Sequence, residues 1–268
     1  MPFDRQWREE LGSPDSNGRA LWALGYGVRH APEAGLREAA RFLLERAVPQ
    51  AERLTSPRAV AFALLGLAEA RVALDLAERF AHQLAVLFDQ HASGDWQWFE
   101  PYLTYSNATL PQAMLIAGEL LGSVPYTTIA RRSLDFLIGV LFQRDMLDLI
   151  GQKGWYRRDS ECARFDQQPI DAACAVEALL VAERVLGEPR YGELARRALE
   201  WFYGRNRGRA ALYDPETGGC HDGLTAEGVN RNQGAESTLA HLMARLLIEE
   251  ARRAEESELP YAAQTLSR

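Results

Sequence analysis

The chain has 268 residues, 47% of them hydrophobic and 25% charged, a globular composition that can bury a large core without disulfide staples and that excludes disorder as its main state. A net charge of -7, with arginines scattered among acids, offers no basic stripe for a phosphate backbone, so nucleic acid is not an expected partner. Three cysteines, Cys162, Cys174 and Cys220, without framework spacing fit a reducing, cytoplasmic setting, and no stretch approaches the roughly 20 apolar residues of a membrane span.

The first ten residues are polar and charged, with no apolar segment of the kind that targets a chain to a membrane. Apolar residues then recur at spacings of three and four over Ala20 to Val28, Leu36 to Leu44, Val60 to Ala70 and Leu76 to Phe88. The same period predicts helices at Pro111 to Leu121, Ile129 to Phe142, Ile170 to Leu186, Tyr191 to Tyr203 and Ala235 to Arg252, about nine in all, with strand alternation nearly absent. Short connections at Ala31 to Ala34, Gly122 to Pro125 and Gly187 to Pro189 stop one helix and start the next at once, as hairpin turns do.

Long connections alternate with these, at Ala92 to Asn107, Arg144 to Pro169 and Arg205 to Gly234, and they are rich in aromatic, acidic and amide residues. Antiparallel hairpins return the chain to one end after every second helix, so the long loops are expected to gather on one face. Helices that follow long loops, as at Ala172 to Leu180 and Ser237 to Leu247, are apolar and small-residue rich and suit an inner layer. Those at Leu36 to Arg46 and Tyr191 to Glu200 carry more charge and read as amphipathic outer helices. The expectation is a single all-α domain over 1–268 with flexible ends at 1–12 and 254–268, built from a degenerate hairpin repeat of about 45 to 65 residues.

Four motifs stand in register at the helix starts: Asp15-Ser16-Asn17-Gly18-Arg19-Ala20-Leu21-Trp22, Trp98-Phe99-Glu100-Pro101-Tyr102-Leu103-Thr104-Tyr105-Ser106-Asn107, Arg164-Phe165-Asp166-Gln167-Gln168-Pro169 and Asn232-Gln233-Gly234-Ala235-Glu236-Ser237. Carried by these residues, the chain resembles the six-hairpin α/α toroids of glycosidases and related sugar enzymes. Within that superfamily it looks like bacterial members encoded beside, or fused to, glycosyltransferases. The resemblance implies an oligosaccharide or glycoside ligand, no cofactor, and a second copy or a glycosyltransferase as protein partner. A closed ring of this kind has twelve helices, so nine leave it open or completed by a partner.

The residue chemistry points the same way. Trp96, Trp98, Phe99, Tyr102 and Tyr105 surround Glu100; aromatic faces stack on sugar C–H surfaces, and a carboxyl among them holds its proton as a general acid near neutral pH must. The alternative for this loop is an aromatic plug, with Glu100 capping a helix. Asp166, just before a helix, is the candidate general base, with loop bracing as its alternative. Asp171, in the first helical turn, reads as a residue that offsets the helix dipole.

Asp15, Asn17, Arg19, Asn107, Gln167, Asn232, Gln233 and Glu236 are candidate hydroxyl binders. Trp98, Tyr102, Tyr105 and Trp155 are candidate stacking platforms, and Arg164 with Arg19 and Lys153 could hold phosphate in a phosphorolytic variant. Tyr213 to Cys220 reads as a tight turn. Zinc enzymes also occur on α/α toroids, and Cys220 and His221 could share a metal. A catalytic zinc takes about three protein ligands, and neither Cys162 nor Cys174 sits in a partner motif, so no metal is expected. An isomerase or epimerase would need a histidine base at the ring centre, and no histidine directly precedes an inner helix. Two readings remain, a glycoside hydrolase-like or phosphorylase-like enzyme using Glu100 and Asp166, and a noncatalytic glycan-binding subunit assisting a glycosyltransferase.

Overall fold

The computed structural model describes residues 12–258. In chain order the helices are α1 (Pro14–His30), α2 (Ala34–Ala51), α3 (Pro57–Ala70), α4 (Leu74–His91), α5 (Thr109–Leu121), α6 (Val124–Leu141), α7 (Pro169–Leu186), α8 (Pro189–Leu199) and α9 (Ala235–Glu258). A 3-10 turn at Glu200–Tyr203 extends α8. The strands are two or three residues long: β1 (Tyr102–Leu103), β2 (Phe142–Gln143), β3 (Met146–Leu147), β4 (Tyr156–Arg157), β5 (Gly223–Thr225) and β6 (Gly228–Asn230), pairing β1 with β4, β2 with β3 and β5 with β6, all antiparallel. Every strand lies in or at the edge of a long connection. No helix among the described residues is long and apolar enough to cross a membrane.

By its contacts the chain falls into two compact units. The first holds residues up to 90 together with 113–130. Within it α1 packs against both α2 and α3. The α1–α3 contact is a glycine interlock: a Cβ on Gly25 would overlap the Gly66 carbonyl, and one on Gly66 would overlap the Leu21 carbonyl. Helix α3 is the core of this unit, with 12 of its 14 residues buried, Arg58 among them, as a predominantly apolar helix must be. Helix α2 buries only Leu44 and Ala51 and leaves Leu36, Phe42 and Leu43 exposed.

The second unit holds 91–112 and 131 onward. Its central helix α7, buried along Ala172–Val176 and at Ala178, Leu179 and Ala182, packs against α8 and α9. It begins on Pro169, whose missing N–H is no loss at a helix start, and stops at Gly187, which adopts a left-handed φ of 69°. Helix α9 buries Ser237, Ala240, His241 and Ala244 and exposes Leu239, Leu242, Met243 and Leu246. Helices α3 and α7 are buried along most of their length, whereas α2 and α8, which follow tight turns, bury fewer residues.

Two helices start more than a full turn earlier than their apolar periodicity suggests. Helix α1 begins at Pro14 behind an N-cap at Ser13, whose hydroxyl accepts from the Ser16 N–H at 3.1 Å, so Asp15, Asn17 and Arg19 lie inside the helix and not on a loop before it. Helix α6 begins at Val124, directly after the Gly122 turn.

Candidate functional site

In the second unit the three long connections are stitched to one another. The first (92–107) and second (144–168) pair through β1 and β4, where Tyr102 stands opposite Arg157 and Leu103 opposite Tyr156. Arg158 adds to this seam, donating its backbone N–H to the Pro101 carbonyl at 3.0 Å and its guanidinium to the Ser93 hydroxyl at 2.7 Å. The second joins the third (205–234) where Gln167 and Leu224 exchange both backbone hydrogen bonds at 3.0 Å. Short strands and bridges thus do what long periodicity could not reveal.

The first connection folds its aromatic residues inward. Trp96 lies edge-on to Phe136 and Tyr156, with centroids 5.1 and 5.3 Å away, and its indole N–H donates to the Glu100 carbonyl at 2.8 Å. Trp98 and Phe99 are fully buried and Glu100 is 6% exposed. The Trp98 indole N–H has no hydrogen-bond partner among the described residues, so Trp98 belongs to the packed interior and is not an open stacking platform. Tyr105 and Trp155 are different: both are half-buried, and their rings lie 6.4 Å apart at 49°. Asn107 is buried and spans its own turn, accepting from the Thr104 N–H at 3.0 Å and donating to the Thr104 carbonyl at 2.6 Å. Ser106, with φ of 45°, donates its N–H to Asp171 Oδ1 at 2.5 Å. Asp171, read from sequence as offsetting the dipole of its own helix, therefore also ties α7 to the turn before α5.

The second connection is cross-braced. Gly151 and Ala163, Trp155 and Gly151, Ala163 and Trp155, and Gln152 and Asp166 are linked by backbone hydrogen bonds of 2.8–3.1 Å. A Cβ on Gly151 would overlap the Phe165 carbonyl, so only glycine permits this approach. Trp155 and Asp166 both sit in left-handed backbone, at φ of 58° and 60°, a conformation that costs a residue with a side chain about 1–3 kcal/mol and persists only where its surroundings enforce it. Asp166 is partly exposed.

Next to Asp166 in sequence lies a buried polar cluster. Asp148 is fully buried between two arginines: Arg207 donates to both carboxylate oxygens at 2.9 and 2.5 Å, and Arg164 stands 3.7 Å away. The Arg207 guanidinium is held above its ordinary pKa, chiefly by these hydrogen bonds. Arg164 also donates to the carbonyls of Asp148, at 2.8 Å, and Val140, at 3.3 Å. Gln167 is fully buried, its amide shared among Asp148, Leu149, Arg164 and Trp201. Gln167 and Arg164, expected to bind substrate, are thus braces of the loop that carries Asp166. Sequence reading missed Asp148 and Arg207; the available signal was a single charge inside the apolar run Met146-Leu147-Asp148-Leu149-Ile150.

The third connection closes on α9. Tyr213 and Cys220 bridge, as expected of a tight turn. Asp222 accepts from the Gly234 N–H at 2.8 Å and the Ser237 hydroxyl at 2.7 Å, and also from Asn232, so it caps α9. Burial alone would raise its carboxyl, but these hydrogen bonds together outweigh burial and hold it below the ordinary carboxylate range. Gln233 is engaged by Asp214 and Thr217 at 2.9 Å each. Asn232 and Gln233, expected to bind hydroxyls, are therefore committed to the loop, while Glu236 stands exposed in the first turn of α9. Burial pushes the Cys220 thiol up to about 12. His241 is buried in an aromatic nest, stacked on Tyr213 at 4.5 Å, with Nε2 2.9 Å from the Tyr203 hydroxyl.

In the first unit, Asp15 and Arg19 form an ion pair at 3.0 Å one helical turn apart. The Arg19 guanidinium lies over the Phe62 ring at 4.3 Å, and Phe62 stacks on Trp22 at 5.5 Å. Asn17 is partly exposed on the same helix.

No protein-family model and no curated sequence matches this chain. Solved structures do. A D-mannose isomerase superposes with a TM-score of 0.62 at 15% identity, over 90% of this chain and 72% of the isomerase. A GH76 α-mannanase of Bacteroides thetaiotaomicron gives 0.62 at 10% identity over 89% and 69%, and a sugar epimerase from a ruminal bacterium 0.61 at 14% over 90% and 71%. These neighbours are members of the six-hairpin glycosidase superfamily, and the likeness is one of fold: this chain has the all-α, α/α-toroid architecture.

Proposed function

We propose that this chain is a carbohydrate-active protein of the glycoside hydrolase or phosphorylase type, binding an oligosaccharide on the long-loop surface of its second unit. The observation that carries this reading is the cross-braced loop 151–168, which bears both the Trp155 ring beside Tyr105 and the partly exposed Asp166 in enforced left-handed backbone. A pair of half-buried rings suits a sugar face, and a partly exposed carboxylate on the same loop as Trp155 suits proton transfer. The structural neighbours, an isomerase, a mannanase and an epimerase, are sugar enzymes by name, which supports the ligand class and leaves the reaction to the residues.

In hydrolysis, Glu100 would give its proton to the glycosidic oxygen as that bond breaks, while Asp166 takes the proton from the attacking water. In phosphorolysis phosphate replaces water, and Lys153 is an exposed cation on the same loop. Tyr102, Tyr105, Trp155 and Glu236 complete the proposed binding set in this unit, with Asp15, Asn17 and Arg19 as candidates in the other. The test is incubation with a pooled oligosaccharide library, with and without phosphate, followed by mass spectrometry. Asp166→Asn and Glu100→Gln should each slow product formation by about 100-fold or more; variants that turn over like the wild type would remove those assignments.

One observation favours the noncatalytic reading. Glu100 is 6% exposed, a carboxyl better placed to brace the loop than to meet a glycosidic oxygen. Glycan binding without turnover, retained in Glu100→Gln, would establish a binding subunit, and co-purification with a glycosyltransferase would name its role. The isomerase reading gains less, because the ring of His241 is enclosed by Tyr203, Tyr213 and Phe202.

A further inference from the structure

We infer that Gln167, anchored by Asp148, is a positioning residue whose task is to fix the carboxylate of Asp166; this rests on the reading of Asp166 as a group that acts on sugar. The adjacency is the first argument. Asp166 occupies left-handed backbone, which aspartate visits more readily than most residues with side chains but which its surroundings must still hold in place.

Its neighbour Gln167 is hydrogen-bonded through side chain and backbone alike. The Gln167 amide nitrogen donates to Asp148 Oδ1 at 2.9 Å, the Leu149 carbonyl at 3.0 Å and the Arg164 carbonyl at 2.9 Å, while its amide oxygen accepts from the Trp201 indole at 2.9 Å. Its backbone N–H and carbonyl are both paired with Leu224. The Asp166 carbonyl accepts from Gln152 at 3.1 Å, so the residue is pinned from the other side as well.

The second argument is what holds Gln167. A buried carboxylate is costly, and a protein interior could fill this space with apolar side chains at no loss of stability. Asp148 is kept ionically paired through Arg207, which reaches it from 59 positions along the chain, and the polar atoms this cluster serves lie on both sides of Asp166. A buried polar network with every member satisfied fixes one geometry where apolar packing would allow several.

The experiment compares the full chain with Gln167→Met, which fills similar space but neither donates nor accepts as the amide does, and with Leu179→Ala, which loosens α7 without touching the cluster. Hydrogen exchange at the Gln152 amide should accelerate about tenfold or more in Gln167→Met and stay near wild type in Leu179→Ala. On an oligosaccharide that the wild type turns over, Gln167→Met should lose about 100-fold in kcat with KM little changed, because a displacement of about 1 Å costs that much, while Leu179→Ala keeps its kcat. Unchanged exchange at Gln152, or equal kcat losses in both variants, would overturn the assignment. If the wild type turns over nothing in the library, the reading of Asp166 as a reacting group fails, and the exchange result alone then decides whether Gln167 fixes this loop.

Discussion

The two units solve different problems with different chemistry. The first is held by close apolar packing: α3 is buried almost throughout, two glycines let α1 and α3 meet backbone to backbone, and ion pairs such as Asp15 with Arg19 and Arg29 with Glu69 lie at the surface. The second carries three long connections, three strand pairs and the buried Asp148 cluster. Of the nine residues other than glycine with left-handed backbone among those described, Arg71 and Ala73 belong to the first unit and seven to the second, Ser106, Trp155 and Asp166 among them. Regular packing needs no strain. A surface that must present a few side chains in fixed directions holds strain in loops and offsets it with buried polar braces.

The largest effect should come from removing the brace. Asp148→Ala leaves Arg207 and Arg164 without their shared anion, and each charged hydrogen bond lost to this buried carboxylate costs about 1.5–3 kcal/mol. Chemical denaturation measures it directly. A loss below about 1 kcal/mol would mean that water replaces the carboxylate freely and that the contrast between the units is one of composition only.

Gly25→Ala attacks the other unit. The added methyl must push α1 away from the Gly66 carbonyl, overpacking that costs about 1–3 kcal/mol. Hydrogen exchange should speed in α1 and α3 while the loop 151–168 keeps its protection. Equal loosening of that loop would show that its geometry depends on helix packing and not on Asp148.

A smaller effect follows from pH. Burial, and then the charge of Arg245, hold the His241 imidazole below its ordinary pKa of 6.5. As pH falls below about 6.5 the unfolded chain takes up a proton that the folded chain refuses, so stability drops with falling pH across the window between the unfolded and folded values. In His241→Phe the stability curve between pH 7 and 5 should be shallower than in the wild type. An unchanged slope would mean that the ring is protonated within its nest.

Much of this architecture was legible in the sequence. Helical periodicity located α7, and Gly187 and Pro189 marked its turn, because glycine accepts left-handed backbone and proline starts a helix without loss. The beginning of α1 escaped the apolar period, although Ser13-Pro14 is itself a strong helix-start signal. The site was legible only in part. Trp155, Tyr105 and Asp166 were identifiable as residue types on long loops, but Gln167, Asn232 and Gln233 look the same in sequence whether they face a ligand or brace a turn. What separates them is burial and partners from distant segments, such as Trp201 for Gln167, and two-residue strands fall below any period that a sequence displays.

The smallest predicted effect sharpens the comparison most. Asp15 and Arg19 are each about one-third exposed at an i,i+4 spacing, where an ion pair contributes about 0.3–0.5 kcal/mol and is screened by salt. Asp15→Ala should therefore change stability by no more than that, and the difference should shrink in about 1 M salt. Arg19→Ala should cost more than Asp15→Ala, because it also removes the guanidinium from the face of Phe62. A cost above about 1 kcal/mol for Asp15→Ala would show that the first unit, too, relies on a polar brace. Stability unchanged but oligosaccharide binding lost would instead place Asp15 among the residues that meet the sugar, and the first unit would then share in the function as well as in the fold.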